Sequence, residues 1–116
     1  MYTERDNKVI KILGAKWNIK FVPDNELLDE MGADGACDNS TRLIRVCKME
    51  SGNLGDLAAY QKKVLRHEII HAFLFESGLA ESSLAANNWA KNEEMVDFFA
   101  TQHNKLHKAF KKAGAL

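Results

Sequence analysis

Residues 54–77 of this chain, LGDLAAYQKKVLRHEIIHAFLFES, contain nothing that stops a helix apart from Gly55 at the start. Leu57, Tyr60, Val64, His67, His71 and Leu74 fall at three- and four-residue steps and form one stripe. Gly78 is placed to end the helix in the left-handed conformation. Asn53, followed by Asp56, is a weak signal for the start. The chain has only 116 residues, so it supports one domain with one core, built against this rod.

The residues before the rod read as strands. Within 8–23, Trp17, Ile19 and Phe21 alternate with Asn18 and Lys20, the pattern of a half-buried strand that Pro23 ends. Residues 24–31 suggest one or two helical turns. In 32–49, a polar Asp-Asn-Ser-Thr centre between short apolar segments predicts a hairpin, with Leu43–Cys47 as its better-defined strand. Residues 79–91 read as a loop or broken short helix. A last helix is expected from about 89 or 91 to 112, with Val96, Phe99, His103, Leu106 and Phe110 as its stripe. Strands first and helices afterwards predict an α+β domain, a small antiparallel or mixed sheet packed on two long helices.

Composition narrows the functional classes. Apolar residues make up 46% and charged residues 28%, a globular rather than disordered profile. A formal net charge of zero gives no bulk attraction to nucleic acid or anionic membranes. Lys105, Lys108, Lys111 and Lys112 form one side of the last helix and read as a solvated face that suits a helix C-terminus. Two cysteines, Cys37 and Cys47, flank the hairpin turn; they make no disulfide framework and are expected as free thiols. The first residues lack a signal-peptide apolar run, and no run is long enough to span a membrane, so a cytoplasmic location is expected.

Inside the rod, His67-Glu68-Ile69-Ile70-His71 matches HExxH. Histidines four apart on a helix sit one above the other, so both imidazoles can reach one Zn²⁺. Glu68 lies a quarter-turn round, badly placed as a ligand but well placed to take a proton from water at the metal. With four His and nine Glu in the chain, shuffling yields this pattern about one time in a hundred, so the pentapeptide alone leaves accident open. Ile69, Ile70, Ala72, Phe73, Leu74 and Phe75 make the second half of the helix apolar nearly all round, which predicts burial. Buried histidines and a glutamate need partners, and a metal is the economical one.

A third protein ligand is then required, with one position left open. His103, His107, Glu76, Glu81, Glu93, Glu94 and Asp97 are the candidates. Glu76 points off the site's face, Glu81 falls in the loop, and His103 and His107 lie toward the lysine-rich end. Glu93 and Asp97 share a helical face with Ala100, a small residue that permits close helix approach. One carboxylate can ligate while the other accepts from the far nitrogen of a ligand histidine. Spacing alone leaves Glu94 as an alternative to Glu93.

With HEIIH followed by EMVDFFA from Glu93, the chain resembles the gluzincin-type metallopeptidases, in particular the compact ImmA/IrrE-like proteins of phages and prophages. The resemblance covers about residues 35–100. It implies a minimal zincin-like fold, a zinc ion on His67, His71 and Glu93, Asp97 supporting a ligand histidine, and Glu68 as general base. The Asn92-Glu93 pair is similar to that of thermolysin-like enzymes. It further implies a peptide or protein substrate, such as a phage or host regulatory protein, lying along Leu43–Cys47 as an edge strand. Two departures stand out: Ile69-Ile70 replaces the family's Leu-Gly, and the larger C-terminal portion of many relatives has no counterpart. An alternative expectation is therefore a non-catalytic zinc-binding domain that contacts a protein partner. For the oxyanion-stabilising group, Tyr60, Arg42, Arg45 and His103 are candidates.

Overall fold

A computed structural model describes residues 7–23, 27, 31–48, 56–82 and 89–116, without the side chains of residues 81 and 82. Among the described residues there are four strands: β1 (Lys8–Ile12), β2 (Ala15–Val22), β3 (Gly35–Asp38) and β4 (Leu43–Cys47). Helix α1 (Leu57–Glu76) follows, then a single turn α2 (Leu79–Ser82), a 3₁₀ turn (Trp89–Lys91) and α3 (Glu93–Lys112). The protein is an α+β domain with a mixed sheet and two long helices, as the order of patterns predicts.

The stretch expected as one strand is two. Leu13 and Gly14 both adopt positive φ (49° and 86°), and the chain reverses there into an antiparallel β1–β2 hairpin. Two consecutive left-handed residues match the right-handed twist of the flanking strands. In β2 the alternation holds: Trp17, Ile19 and Phe21 are buried while Asn18 and Lys20 face solvent. The β3–β4 hairpin forms where the polar centre lies. The Asp38 carboxylate accepts from the Ser40 backbone and hydroxyl at 3.0 and 2.6 Å and so builds the turn. Both cysteines are free thiols; Cys37 pairs with Ile44 across the hairpin rather than with Cys47. The helical turns expected in residues 24–31 lie largely outside the described residues.

The sheet order is β1-β2-β4-β3, with β2 and β4 parallel. This corrects one expectation. Leu43–Cys47 is not an edge strand: it bonds to β2 on one side and β3 on the other, so its backbone has no free row for a peptide. The free edge near the helices belongs to β3. Alternation identifies a strand and its buried face, but a parallel pairing made through a crossover leaves no mark in the local pattern.

One face of the sheet packs on α1. Ile12, Trp17, Ile19, Phe21, Ile44 and Val46 form the core with Val64 and Ala72 of the helix. The residues of α1 that go under are Gln61, Val64, Glu68 and Ala72. Burial of the second half all round does not hold, since Phe73 remains 43% exposed and His71 only half-buried. The buried stripe runs through Glu68, one residue past His67. Asp56 caps the helix by accepting from the Ala59 N–H, and Gly78 follows its end at φ 84°. His71 meets Glu93, His67 meets both Glu93 and Asp97, and Lys63 meets Asp97, so α3 runs antiparallel to α1.

Candidate metal centre

Glu68 sits on the face of α1 turned toward the sheet, while His67 and His71 occupy the boundary facing α3. The start of α3 is fixed by Asn92, whose side chain accepts from the Met95 N–H at 2.8 Å. That cap puts Glu93 in the first helical turn, where a carboxylate also suits the helix dipole. Ala90, in the preceding turn, is buried and holds this entry close to α1. Val96 and Ala100, buried one and two turns later, bring the helices together.

The result is a triangle of donor atoms. His67 Nε2 lies 2.8 Å from Glu93 Oε2, His71 Nε2 lies 2.9 Å from Glu93 Oε1, and the two Nε2 atoms are 3.2 Å apart. Around a tetrahedral ion with bonds of 2.0–2.1 Å, ligand atoms sit about 3.3 Å from one another. His67, His71 and Glu93 therefore form a group that could hold a metal ion. Glu94, the alternative third ligand, is exposed and is not a member of this group among the described residues.

The donor set itself fits a cation. Asp97 Oδ1 approaches His67 Nδ1 at 3.4 Å, so each nitrogen of one imidazole faces a carboxylate. A neutral ring can donate from only one nitrogen. With the proton on Nδ1 toward Asp97, Nε2 presents a lone pair into a space shared with a second imidazole and a carboxylate. A cation there satisfies all three, and Asp97 fixes the tautomer. Burial holds His71 below the usual imidazole range, with opposing help from Glu93 toward the charged form, so the ring favours the neutral state that ligation needs.

Glu68 is only 9% exposed. Burial pushes its carboxyl up to about 7; His67 opposes that shift and Glu93 adds to it. A carboxyl in this range can both take and return a proton near neutrality. Glu68 is held close under β3. A Cβ placed on Gly35 would meet Val64 Cγ1 at 2.7 Å and the Glu68 side chain at 3.1 Å, so the strand can cross the helix here only as glycine. Gly35 is a residue the sequence reading did not single out for the site, since a glycine at a close crossing looks like any other turn-rich glycine until the crossing is known.

Two cavities meet at Glu68 and Glu93, one toward each end of β3. The larger, about 410 Å³, is lined by Met31, Ala36, Cys37, His71 and Ala90. The smaller, about 260 Å³, takes in Asp34, Gly35, Tyr60, Lys63 and His67. Burial pushes the Cys37 thiol up to about 12, reinforced by Glu68, so it stays protonated and is no nucleophile. The Tyr60 hydroxyl donates to Asp34 at 2.6 Å, and that bond raises it to about 12, leaving a neutral phenol beside the histidines. Lys63 sits 3.4 Å from Asp97 Oδ1, the same oxygen that faces His67. Of the other oxyanion candidates, Arg42 is engaged by Glu76 and His103 lines neither cavity. Glu76 bonds Trp17 and Arg42, away from the histidines as expected. The side chain of Glu81 lies outside the described residues, and His107 is exposed on α3.

No family model, curated protein or solved structure matches this chain. No helix among the described residues is long and apolar enough to cross a membrane.

Proposed function

We propose that the chain is a zinc-dependent metallopeptidase with His67, His71 and Glu93 as ligands and Glu68 as general base. The observation that carries this reading is the conjunction of a three-donor triangle with a buried carboxyl beside it that belongs to none of the ligand positions. A site that only held structure together would take four protein ligands and have no use for Glu68. A zinc ion bound here would supply a Lewis acid for the scissile carbonyl and lower the pKa of water. Glu68 accepts the proton from the attacking water and returns it to the leaving amine. Asp97 holds His67 in one tautomer through Nδ1. Tyr60 lines the smaller cavity, with its hydroxyl proton held by Asp34.

The substrate strand in this reading is β3, not β4. Among the described residues no strand pairs with its outer backbone row, and the two cavities extend along it to either side of Glu68. A peptide added there continues the sheet and presents its carbonyl at the open face, where Glu93 is 70% exposed.

The test is a pair of measurements on Glu68→Gln. The variant is expected to bind zinc as the wild type does while peptide-library cleavage falls at least ~100-fold. Undiminished cleavage in the variant, or no zinc-dependent cleavage by the wild type, contradicts the proposal.

A further inference from the structure

The two cavities at the centre differ in what their walls offer a substrate. Among the described residues, the larger one is floored by small side chains: Ala80 and Ala90 are buried, and Ala36 and Cys37 half-buried. The Cys37 thiol stays protonated, so this floor is uncharged. Met31, Asn39 and Lys91 also line the cavity and are exposed, so they form its rim. The carboxyl groups that reach it are Glu68 and Glu93, which belong to the centre itself. A space lined by small side chains lowers stability when nothing fills it, and a longer side chain at 37 or 80 would close it. At about 410 Å³ it has the size of a small-ligand cleft.

In the smaller cavity the charged groups already have partners. The Tyr60 hydroxyl donates to Asp34 at 2.6 Å, and Asp97 Oδ1 lies 3.4 Å from both Lys63 Nζ and His67 Nδ1. At Gly35 there is no room for a Cβ, so that stretch of wall is backbone. A side chain entering there must compete with existing pairs and gains little.

The strand sets the direction. The smaller cavity adjoins residues 33–35 and the larger residues 36, 37 and 39, so the two follow one another along β3. Antiparallel pairing is the more stable for an added strand. A peptide bound that way lies with its amino-terminal half at the larger cavity. Building on the peptidase reading, we infer that the larger cavity selects a large apolar side chain, Leu, Met or Phe, immediately before the scissile bond, while the smaller cavity exerts little choice after it.

A peptide library cleaved by the zinc-loaded full chain reads both positions at once, with products sequenced by mass spectrometry and Glu68→Gln as the background. Leu, Met or Phe should precede the cut at least ~10-fold more often than Ala or Asp, against less than about threefold selection after it. Ala80→Met, which fills the floor, should shift the preference before the cut at least ~10-fold toward Ala and Gly. Cys37→Met fills it from β3 and should do the same if the first variant does not fold. Each preference is a ratio within one preparation, so a loss of folded protein does not move it. Cleavage with no apolar preference before the cut, with that preference after the cut instead, or with it unchanged in the filled variants, would overturn the inference and leave the peptidase reading standing. No zinc-dependent cleavage by the wild type would overturn that reading and the inference with it.

Discussion

Glu68 and Glu76 stand two turns apart on the same helix, and their surroundings are opposites. Glu76 accepts from Trp17 Nε1 at 2.8 Å and pairs with Arg42. The Arg42 hydrogen bond, with help from Trp17, holds its carboxyl below the ordinary range. Every group there has its complement: a donor for each acceptor, a cation for the anion. Around Glu68 two imidazoles and the Glu93 carboxylate converge, Asp97 shares one oxygen between Lys63 and His67, and burial drives the Glu68 carboxyl toward neutrality. A complete network ties β2, the β3–β4 hairpin and α1 together. An incomplete one has a place for something from outside. The contrast separates a carboxylate with a full set of partners from one that burial drives toward neutrality.

Breaking the incomplete cluster has the largest expected effect. His71→Ala should lower zinc affinity more than ~100-fold, beyond the range typical of outer partners. Equilibrium competition with a chromogenic chelator measures it. Asp97→Asn removes only the support to His67, and a 10–100-fold loss is expected by the same assay.

The metal-free protein sharpens the comparison through pH. The Glu68 carboxyl rises from 4.5 to about 7 in the fold, so the native state favours its protonated form. The associated stability is fully present below about pH 4.5, declines as pH rises through about 7, and is absent above. Glu68→Gln removes this dependence. Without metal, the variant should be more stable than wild type at pH 8 by at most about 3 kcal/mol and equal to it near pH 4. Urea denaturation at the two pH values distinguishes the outcomes. A variant less stable at pH 8 would mean that the ionised carboxylate is already satisfied.

Breaking the complete network should act on stability alone. Glu76→Gln exchanges the ion pair for a neutral bond and is expected to lower Tm by a few degrees, read by thermal denaturation, with zinc affinity unchanged. Altered metal binding in that variant would show that the two regions are coupled through α1.

Much of this was legible before the fold. His67, Glu68 and His71 announce themselves because helical spacing converts sequence distance directly into spatial distance. Glu93 and Asp97 were reachable because they share a helical face with small and buried neighbours. Asn92 looked like part of a motif; its structural role is to start α3 so that Glu93 meets the histidines. What was hidden depended on relations between elements. Local alternation does not tell that β4 is an inner strand and β3 the edge, because strand order is set by long-range pairing. Gly35 gained meaning only once β3 was seen to cross α1 at Val64 and Glu68. The second half of α1 is not buried all round, since Phe73 faces outward. Burial on α1 follows the stripe through Glu68, and the histidines lie half-exposed at its border.

The account stands on a single ion held by residues from two helices. Zinc content of the purified protein, measured by plasma mass spectrometry beside Glu93→Ala and Glu94→Ala, tests that most directly. About one zinc per chain in the wild type and in Glu94→Ala, with loss in Glu93→Ala, is the expected result. Wild-type protein without zinc after equilibration with the metal, or zinc retained in full by Glu93→Ala, would contradict it.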